Sequence, residues 1–433
     1  MNTDATMIDL TPADLPRIKE LEDTVWFEVL PGGTPADLAD DLDFRHARAM
    51  ERPGPPLPGE DASGPTPLVG IYGAFDMQVT VPGPVGGLRV LPMDGLTWVG
   101  VHPDARRRGV LTRMMRDHLH RIHDRGECAV AGLHASEPAI YGRFGYGSAS
   151  LDVKLTLGRG TTLTAPEELG ARADAVRTHM VTLPTAEGTA ALHAAHLACA
   201  DGALGTVTRP DAQATTWFRD MPKARGSKEP RRLMLAQVDD EVTGYALFRR
   251  ESRWEDGVSQ GEVSVAELAA RDHASLLALA RRLLDLDLTT KVTFWNRSVD
   301  DPLLWWAGGP RAAGMKASDA LWLRLVDVPR ALAERGYAGP LDVVLEVTDE
   351  FCPWNAGRWR VRADASGAAT VEATQDGPDV VAPVAALGAA YLGGRTLVSQ
   401  VPTLGVREVT PGALGKLSRA MRADTEPVGA IGF

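Results

Sequence analysis

The stretch VGVHPDARRRGVLT, residues 99–112, decides how the rest of the chain is read. Alternating valines, Val99 and Val101, end a strand; His102, Pro103 and Asp104 make a turn; three arginines follow; and Gly109 opens a helix that begins with Val110 and Leu111. The N-terminus of a helix exposes N–H groups without partners and the positive end of the dipole, so it takes up phosphate readily. A glycine at the entry lets the backbone approach a pyrophosphate closely, and Arg106 and Arg107 can add charge-assisted hydrogen bonds. The stretch is not a Walker loop, which needs GxxxxGK[ST], and it lacks the GxGxxG dinucleotide fingerprint. The bland alternative is a basic helix entry with solvated arginines. Strand, valines, arginines, glycine and helix in this order weigh against it.

Outward from this stretch, a helix is expected over residues 109–125, with Val110, Leu111, Met114, Met115, Leu119 and Ile122 on its apolar stripe and Gly126 as its stop. Strands are expected over 68–75, 77–81 and 96–101, with PGPVGG as a turn, and the apolar run 128–134 reads as a buried strand. Further upstream, Thr11 and Pro12 open a helix over 11–28, and a second helix is expected over 36–50. Between them and the strands, residues 53–67 hold six prolines and three glycines, which makes a surface loop. The middle of the chain repeats the same grammar: a hairpin over 233–251 turning at Asp239 and Asp240, a strand over 261–270, and a helix over 273–285. This succession reads as an internal duplication of 68–125. From about Ala317 come strands in LWLRLVDV, LDVVLEV and RWRVRAD and helices over 383–394 and 410–421. Mixed strands and helices in three blocks give an α/β or α+β architecture.

At 433 residues the chain is long enough for two to four domains. With 44% hydrophobic and 24% charged residues it is an ordinary globular mix. The longest charge-free apolar run, residues 380–394, is too short to span a bilayer and contains a proline, and the acidic N-terminus is unlike a signal peptide. The expected compartment is the cytoplasm, with no membrane partner. Cys128, Cys199 and Cys352 lie far apart, so neither a disulfide framework nor a structural zinc site is indicated. A net charge of −11 argues against nucleic acid as the main partner and is compatible with a cationic substrate.

The pattern V-x-V-x-P-x-x-R-x-x-G at 99–109 resembles the acetyl-coenzyme A motif of the GNAT superfamily of N-acetyltransferases. A second stretch, LHASE at 133–137 followed by IYGRFGYG at 140–147, narrows the likeness. With the chain length and the C-terminal phenylalanine, the chain resembles the Eis (enhanced intracellular survival) family of aminoglycoside and amine acetyltransferases. The resemblance implies a GNAT domain over 1–156, a degenerate GNAT domain over 157–316, and a sterol-carrier-protein-like domain over 317–433. It also implies a homo-hexamer and acetyl-CoA as cosubstrate; no metal is expected, because His120 and His123, spaced i, i+3, come with no HExxH and no third ligand. By position, the backbone of Val99 and Val101 would hold the pantetheine arm, and Arg106, Arg107, Gly109, Val110 and Leu111 the pyrophosphate. Tyr141 matches the family's general acid, and Phe433 its terminal carboxylate base. Asp23, Trp26 and Glu28 are expected at the acceptor pocket. The central block has Glu267-Leu268-Ala269-Ala270-Arg271-Asp272-His273 where arginines and a glycine should follow the strand, so one coenzyme site per chain is expected.

Other readings stand beside these. Tyr141 can be a core tyrosine, with Tyr146 as the alternative acid. His134 reads as a structural hydrogen-bonder, and His118, His120 and His123 as the polar side of their helix. The cluster Asp37, Asp40, Asp41 and Asp43 reads as a solvated helix face that can attract amines. Gly432 stands where aminoglycoside-accepting members often carry an acid, which bears on substrate range. The implied reaction is acetyl transfer to the primary amine of a small cationic molecule in a ternary complex. A protein or peptide lysine acetyltransferase is an alternative, and a CoA-sensing or lipid-carrying protein is the non-enzymatic one.

Overall fold

The computed structural model describes the chain except residues 1–4, 28–33, 56, 60, 62, 184, 221, 223 and 224. Its first sheet begins with β1 (Thr6–Asp9), β2 (Arg48–Glu51), β3 (Leu68–Pro82) and β4 (Leu88–Val101), each antiparallel to the last. β5 (Val130–His134) joins β4 in parallel. A parallel pair needs a crossover, and the amphipathic helix over Val110–Arg125 supplies it.

The N-terminal helix is shorter than expected. A 3-10 turn over Pro12–Asp14 carries the Thr11–Asp14 capping box, and α1 (Leu15–Val25) follows; the crossover helix is α2. Leu68 to Pro82 is one strand, not two: Asp76 stays in the ladder opposite Asp94, and its carboxylate binds His46 at 3.1 Å. The helix expected over 36–50 is replaced by a short 3-10 turn, Pro35–Leu38, further turns, and β2. Asp is a poor helix interior residue. Here Asp40 and Asp41 turn away to Arg219, at 2.7 and 2.8 Å, and Asp43 pairs with Arg45.

The second sheet repeats the first. Strands Arg177–Thr182, Arg232–Val238, Glu241–Glu251 and Gly261–Ala270 run antiparallel, and Gly261–Ala270 is parallel to Thr289–Arg297 across the helix His273–Leu284. The duplication read from the sequence is thus present strand for strand. The next strand of each sheet comes from the other side of an expected boundary. Leu151–Gly158, most of which was expected in the first unit, pairs with Thr289–Arg297 in the second sheet. Leu321–Leu325, expected at the start of the third unit, pairs with β5 in the first. Boundaries at 156 and 316 therefore cut through an exchange of strands between the two halves.

A third sheet, built on Leu341–Thr348, Gly357–Ala363, Ala369–Ala373 and Val380–Pro383, completes the chain with helices Val384–Ala390 and Ala413–Ala420. Its core is continuous with the first sheet: Met77, Val79, Leu321 and Leu323 share one buried cluster with Leu345, Leu387 and Leu417. Arg324, fully buried on the exchanged strand, makes two bonds to the Asp349 carboxylate at 2.6 and 2.8 Å and so ties the first sheet to the third unit. No helix among the described residues is long and apolar enough to cross a membrane.

After its last helix the chain turns back between the first and second sheets. The Glu426 N–H donates to Asp300, Val428 to the carbonyl of Leu204 at 2.8 Å, and Gly429 to that of Arg297. At Gly429 a Cβ would lie 2.9 Å from the Cα atoms of both Asn296 and Asp152, so only glycine fits this passage.

Candidate functional site

Two features of β4 open a cleft. Its ladder with β5 stops after Asp94–Ala131 and Gly95–Gly132. Its ladder with β3 is interrupted between Thr97 and Gly100, where Trp98 takes a φ of +53°. A bulge re-aims the strand, and where parallel strands part, the following peptide groups lose partners on that edge. Val99 and Val101 lie in this stretch, half-buried.

The strand then enters a 3-10 turn over Pro103–Ala105, and Arg107 and Gly109 both take the left-handed conformation, at φ +60° and +84°. Gly109 caps α2 without a side chain, so the first N–H groups of the helix are left for a ligand. Arg106, Arg107 and Arg108 are exposed, and among the described residues none meets a carboxylate at ion-pair distance. An anion such as a pyrophosphate fits this donor set. Val110 and Leu111 hold the helix start against the apolar cluster that also contains Val99, Val101 and Tyr141.

Tyr141 ends the short helix α3 (Pro138–Tyr141) beyond β5 and is 8% exposed. Burial, with a smaller contribution from Glu137, pushes its hydroxyl up to about 12. Tyr146 packs edge-on against it, ring centres 6.2 Å apart, but is 1% exposed with a hydroxyl that has no partner. The tail reaches the cleft from the other side of the sheet. Thr97 Oγ1 donates to the Phe433 carboxylate at 3.1 Å, and His134 Nε2 donates to the Ile431 carbonyl at 3.0 Å. Burial holds His134 below the usual histidine range, which keeps it a neutral donor. The Phe433 ring stacks edge-on against His134 and approaches Gly95 so closely that a Cβ there would sit 3.1 Å from it.

Trp26 arrives at the same strand: it packs edge-on against Trp98, and a Cβ at Gly100 would lie 2.7 Å from its ring. Asp23 is bonded to Lys19 along α1. Glu28 lies outside the described residues. The histidines of α2 depart from their expected polar face. His118 is buried 3.5 Å from Asp94, and His120 and His123 pack on Trp354. The acidic segment also serves differently. Asp40 and Asp41 pair with Arg219 of the central unit instead of forming a free face.

Sequence reasoning missed the wall contributed by the central unit. Arg209 lies 3.5 Å over the Trp217 ring and 5.0 Å from the centre of Phe75, which is opposite Gly95 in the β3–β4 register. It also missed the grouping of Asp43, His46 and Asp76, whose ligand atoms lie within 4.8 Å of one another. Arg125 donates to His46 Nδ1 at 2.8 Å, so the other nitrogen carries the proton toward Asp76, and Arg45 neutralises Asp43.

Comparisons with known proteins agree with this architecture. Residues 62–149 and 205–325 each match a family model of an acetyltransferase (GNAT) domain, and residues 328–429 match a sterol carrier protein domain. An uncharacterized N-acetyltransferase of Streptomyces coelicolor is 41% identical over 367 residues, which covers 84% of this chain and 86% of that protein. The N-acetyltransferase Eis of Mycobacterium tuberculosis is 31% identical over 378 residues, 86% of this chain and 88% of its own. The crystal structure of Eis1 from Mycobacterium abscessus superimposes with a TM-score of 0.76 at 30% identity, covering 98% of both chains. A GCN5-related N-acetyltransferase from Anabaena variabilis shares the fold, with a TM-score of 0.78 at 17% identity. With two GNAT domains, a sterol-carrier-protein-like domain and a relative of this identity over most of its length, the chain belongs to the Eis family of N-acetyltransferases, acyltransferases that use acetyl-CoA as cosubstrate.

Proposed function

We propose that the protein acetylates a primary amine of a small cationic acceptor, aminoglycoside- or polyamine-like, by direct attack while acetyl-CoA and acceptor are bound together. The observation that carries this reading is the chain terminus, held inside the open cleft by Thr97 and His134. In this reading acetyl-CoA supplies the activated acyl group. The N–H groups at the start of α2, with Arg106 and Arg107, hold the pyrophosphate, while the freed edge at Val99 and Val101 aligns the pantetheine arm. The Phe433 carboxylate attracts the ammonium and takes its proton, and Tyr141 gives one to the departing thiolate. We read the assembly as a cytoplasmic hexamer from the family likeness, with light scattering as the check.

A turnover assay with acetyl-CoA, thiol detection and a panel of polyamines and aminoglycosides tests the reaction. Release of thiol that depends on none of these amines sinks it. The coenzyme cradle has its own test. Each charge-assisted bond to phosphate contributes about 1.5–3 kcal/mol, so Arg106→Ala with Arg107→Ala is expected to raise the CoA dissociation constant at least tenfold in calorimetry. Unchanged affinity would make these arginines a solvated turn. Acceptor range is open to a gain-of-charge test at Gly432, which is exposed with nothing within 4 Å of a Cβ. An exposed ion pair contributes up to about 1 kcal/mol, so Gly432→Glu is expected to lower KM for a polycationic acceptor up to about fivefold. A raised KM would show that the acceptor does not pass this position.

A further inference from the structure

A cavity of about 830 Å³ lies where the central and C-terminal units meet the β3–β4 turn of the first sheet. It takes, in the second sheet, the place that the coenzyme cleft has in the first. The parallel ladder of Gly261–Ala270 with Thr289–Arg297 stops at Val265–Phe294, and the ladder with Glu241–Glu251 shifts between Val265 and Glu267. No arginine-glycine cradle follows. Glu267 faces the cavity instead, 7% exposed.

The groups behind Glu267 form a chain of donors pointing at it. The Arg209 backbone N–H donates to His196 Nε2 at 3.2 Å, so the proton of this histidine sits on Nδ1. Burial keeps that ring neutral, its pKa lowered to about 4. His196 Nδ1 then donates to the Tyr245 hydroxyl at 3.0 Å, and Tyr245 donates to Glu267 Oε2 at 2.8 Å. The other oxygen, Oε1, receives no donor from the described residues, and no guanidinium or ammonium lies within ion-pair distance of the carboxylate. Oε1 is also absent from the polar atoms that are sealed from solvent without a partner, which leaves it open to the cavity. A buried carboxylate without a contacting ion-pair partner is costly, and burial raises the Glu267 carboxyl, which Arg231 and Arg209 at longer range and the Tyr245 hydrogen bond offset only in part. The rest of the wall carries no excess of positive charge: five further carboxyl groups face the cavity against four guanidinium groups.

We propose that this cavity is a second ligand site, separate from the acetyl-transfer cleft, that takes a polyamine-like alkylammonium ion with its cationic nitrogen on Glu267 Oε1. The carboxylate selects an N–H donor with positive charge, and the volume accommodates a flexible chain behind it. The tail passes along the wall at Gly429, Ala430 and Ile431, so a bound ion lies against the segment that ends at Phe433.

Calorimetric titration of the full chain with spermine, in the absence of acetyl-CoA, tests this. Wild type is expected to take up one equivalent more than Glu267→Gln, a change that keeps an acceptor for Tyr245 and removes the charge. The affinity of that equivalent is expected to fall at least tenfold. Ala203→Trp, which fills the cavity from its half-buried wall, is expected to remove the same equivalent and decides the matter should Glu267→Gln fail to fold. Wild-type stoichiometry and affinity in the variants, or no spermine uptake by wild type, would overturn the proposal. Thiol release reports on the transfer cleft alone. Its failure with the Glu267-dependent equivalent intact would count against the acetylation of polyamines and leave the second site standing.

Discussion

Two residues added after Phe433 are expected to abolish acetyl transfer while leaving CoA affinity within about twofold of wild type. The chain end is fixed over its last eight residues, by bonds from Glu426, Val428 and Gly429 and by the two contacts from His134 and Thr97. Two further residues displace the terminal carboxylate by up to about 7 Å, well beyond hydrogen-bond reach of Thr97. The carboxylate left at position 433 becomes a neutral amide carbonyl, which neither attracts an ammonium nor accepts its proton. An α-carboxyl titrates near 3.5 and an alkylammonium near 10, so removal of the proton needs a carboxylate raised by burial or a relaying water. The amide offers neither. Deleting Phe433 is expected to act alike, because Gly432 then carries the carboxylate without the ring that wedges against Gly95 and His134. Calorimetry with CoA and steady-state thiol release read the two halves separately. An extended chain that folds, binds CoA and turns over at the wild-type rate removes Phe433 from the chemistry.

What the sequence made legible was local. The order of residues 99–112 placed a strand end, an arginine turn and a helix start where they occur, because each is set by neighbours a few residues apart. The duplication was legible for the same reason: hairpin, strand and helix recur as local patterns. Pairing between distant segments was not. LWLRLVDV alternates well enough to be a strand, but nothing in it records that its partner is β5, almost two hundred residues earlier. The acidic segment 37–43 has helix-compatible spacing, yet Arg219 and the pairing of β2 decide its course from outside. At the candidate site, Tyr141 and Phe433 stood out through the family resemblance of the motifs around them. Thr97 and Arg209 did not, since a threonine in a strand and an arginine in a loop become informative only once the tail and the central unit fold against them.

Tyr141→Phe is expected to bind CoA as wild type does and to lose between about 10² and 10⁴ in kcat, the usual contribution of a positioned general acid. The hydroxyl makes no hydrogen bond that holds the fold, since only burial and the charge of Glu137 act on it. Removing it therefore leaves no orphaned partner, and the thermal midpoint should not fall. The proton balance explains why the effect is large. A hydroxyl near 12 facing a free thiol near 8.5 would give up its proton against roughly 3.5 units, about 5 kcal/mol. Desolvation moves thiols in the same direction: those of Cys128, Cys199 and Cys352 all rise to about 12 inside this protein. A thiolate partly desolvated beside Tyr141 would rise in the same direction, which narrows the gap the tyrosine has to bridge. Tyr146→Phe is the control. Its hydroxyl is sealed from solvent and unpartnered, so its removal relieves a buried polar group that costs on the order of 1–3 kcal/mol. That variant should keep its rate and melt higher. The assignment of the acid reverses if Tyr141→Phe retains half or more of the wild-type kcat while Tyr146→Phe loses it.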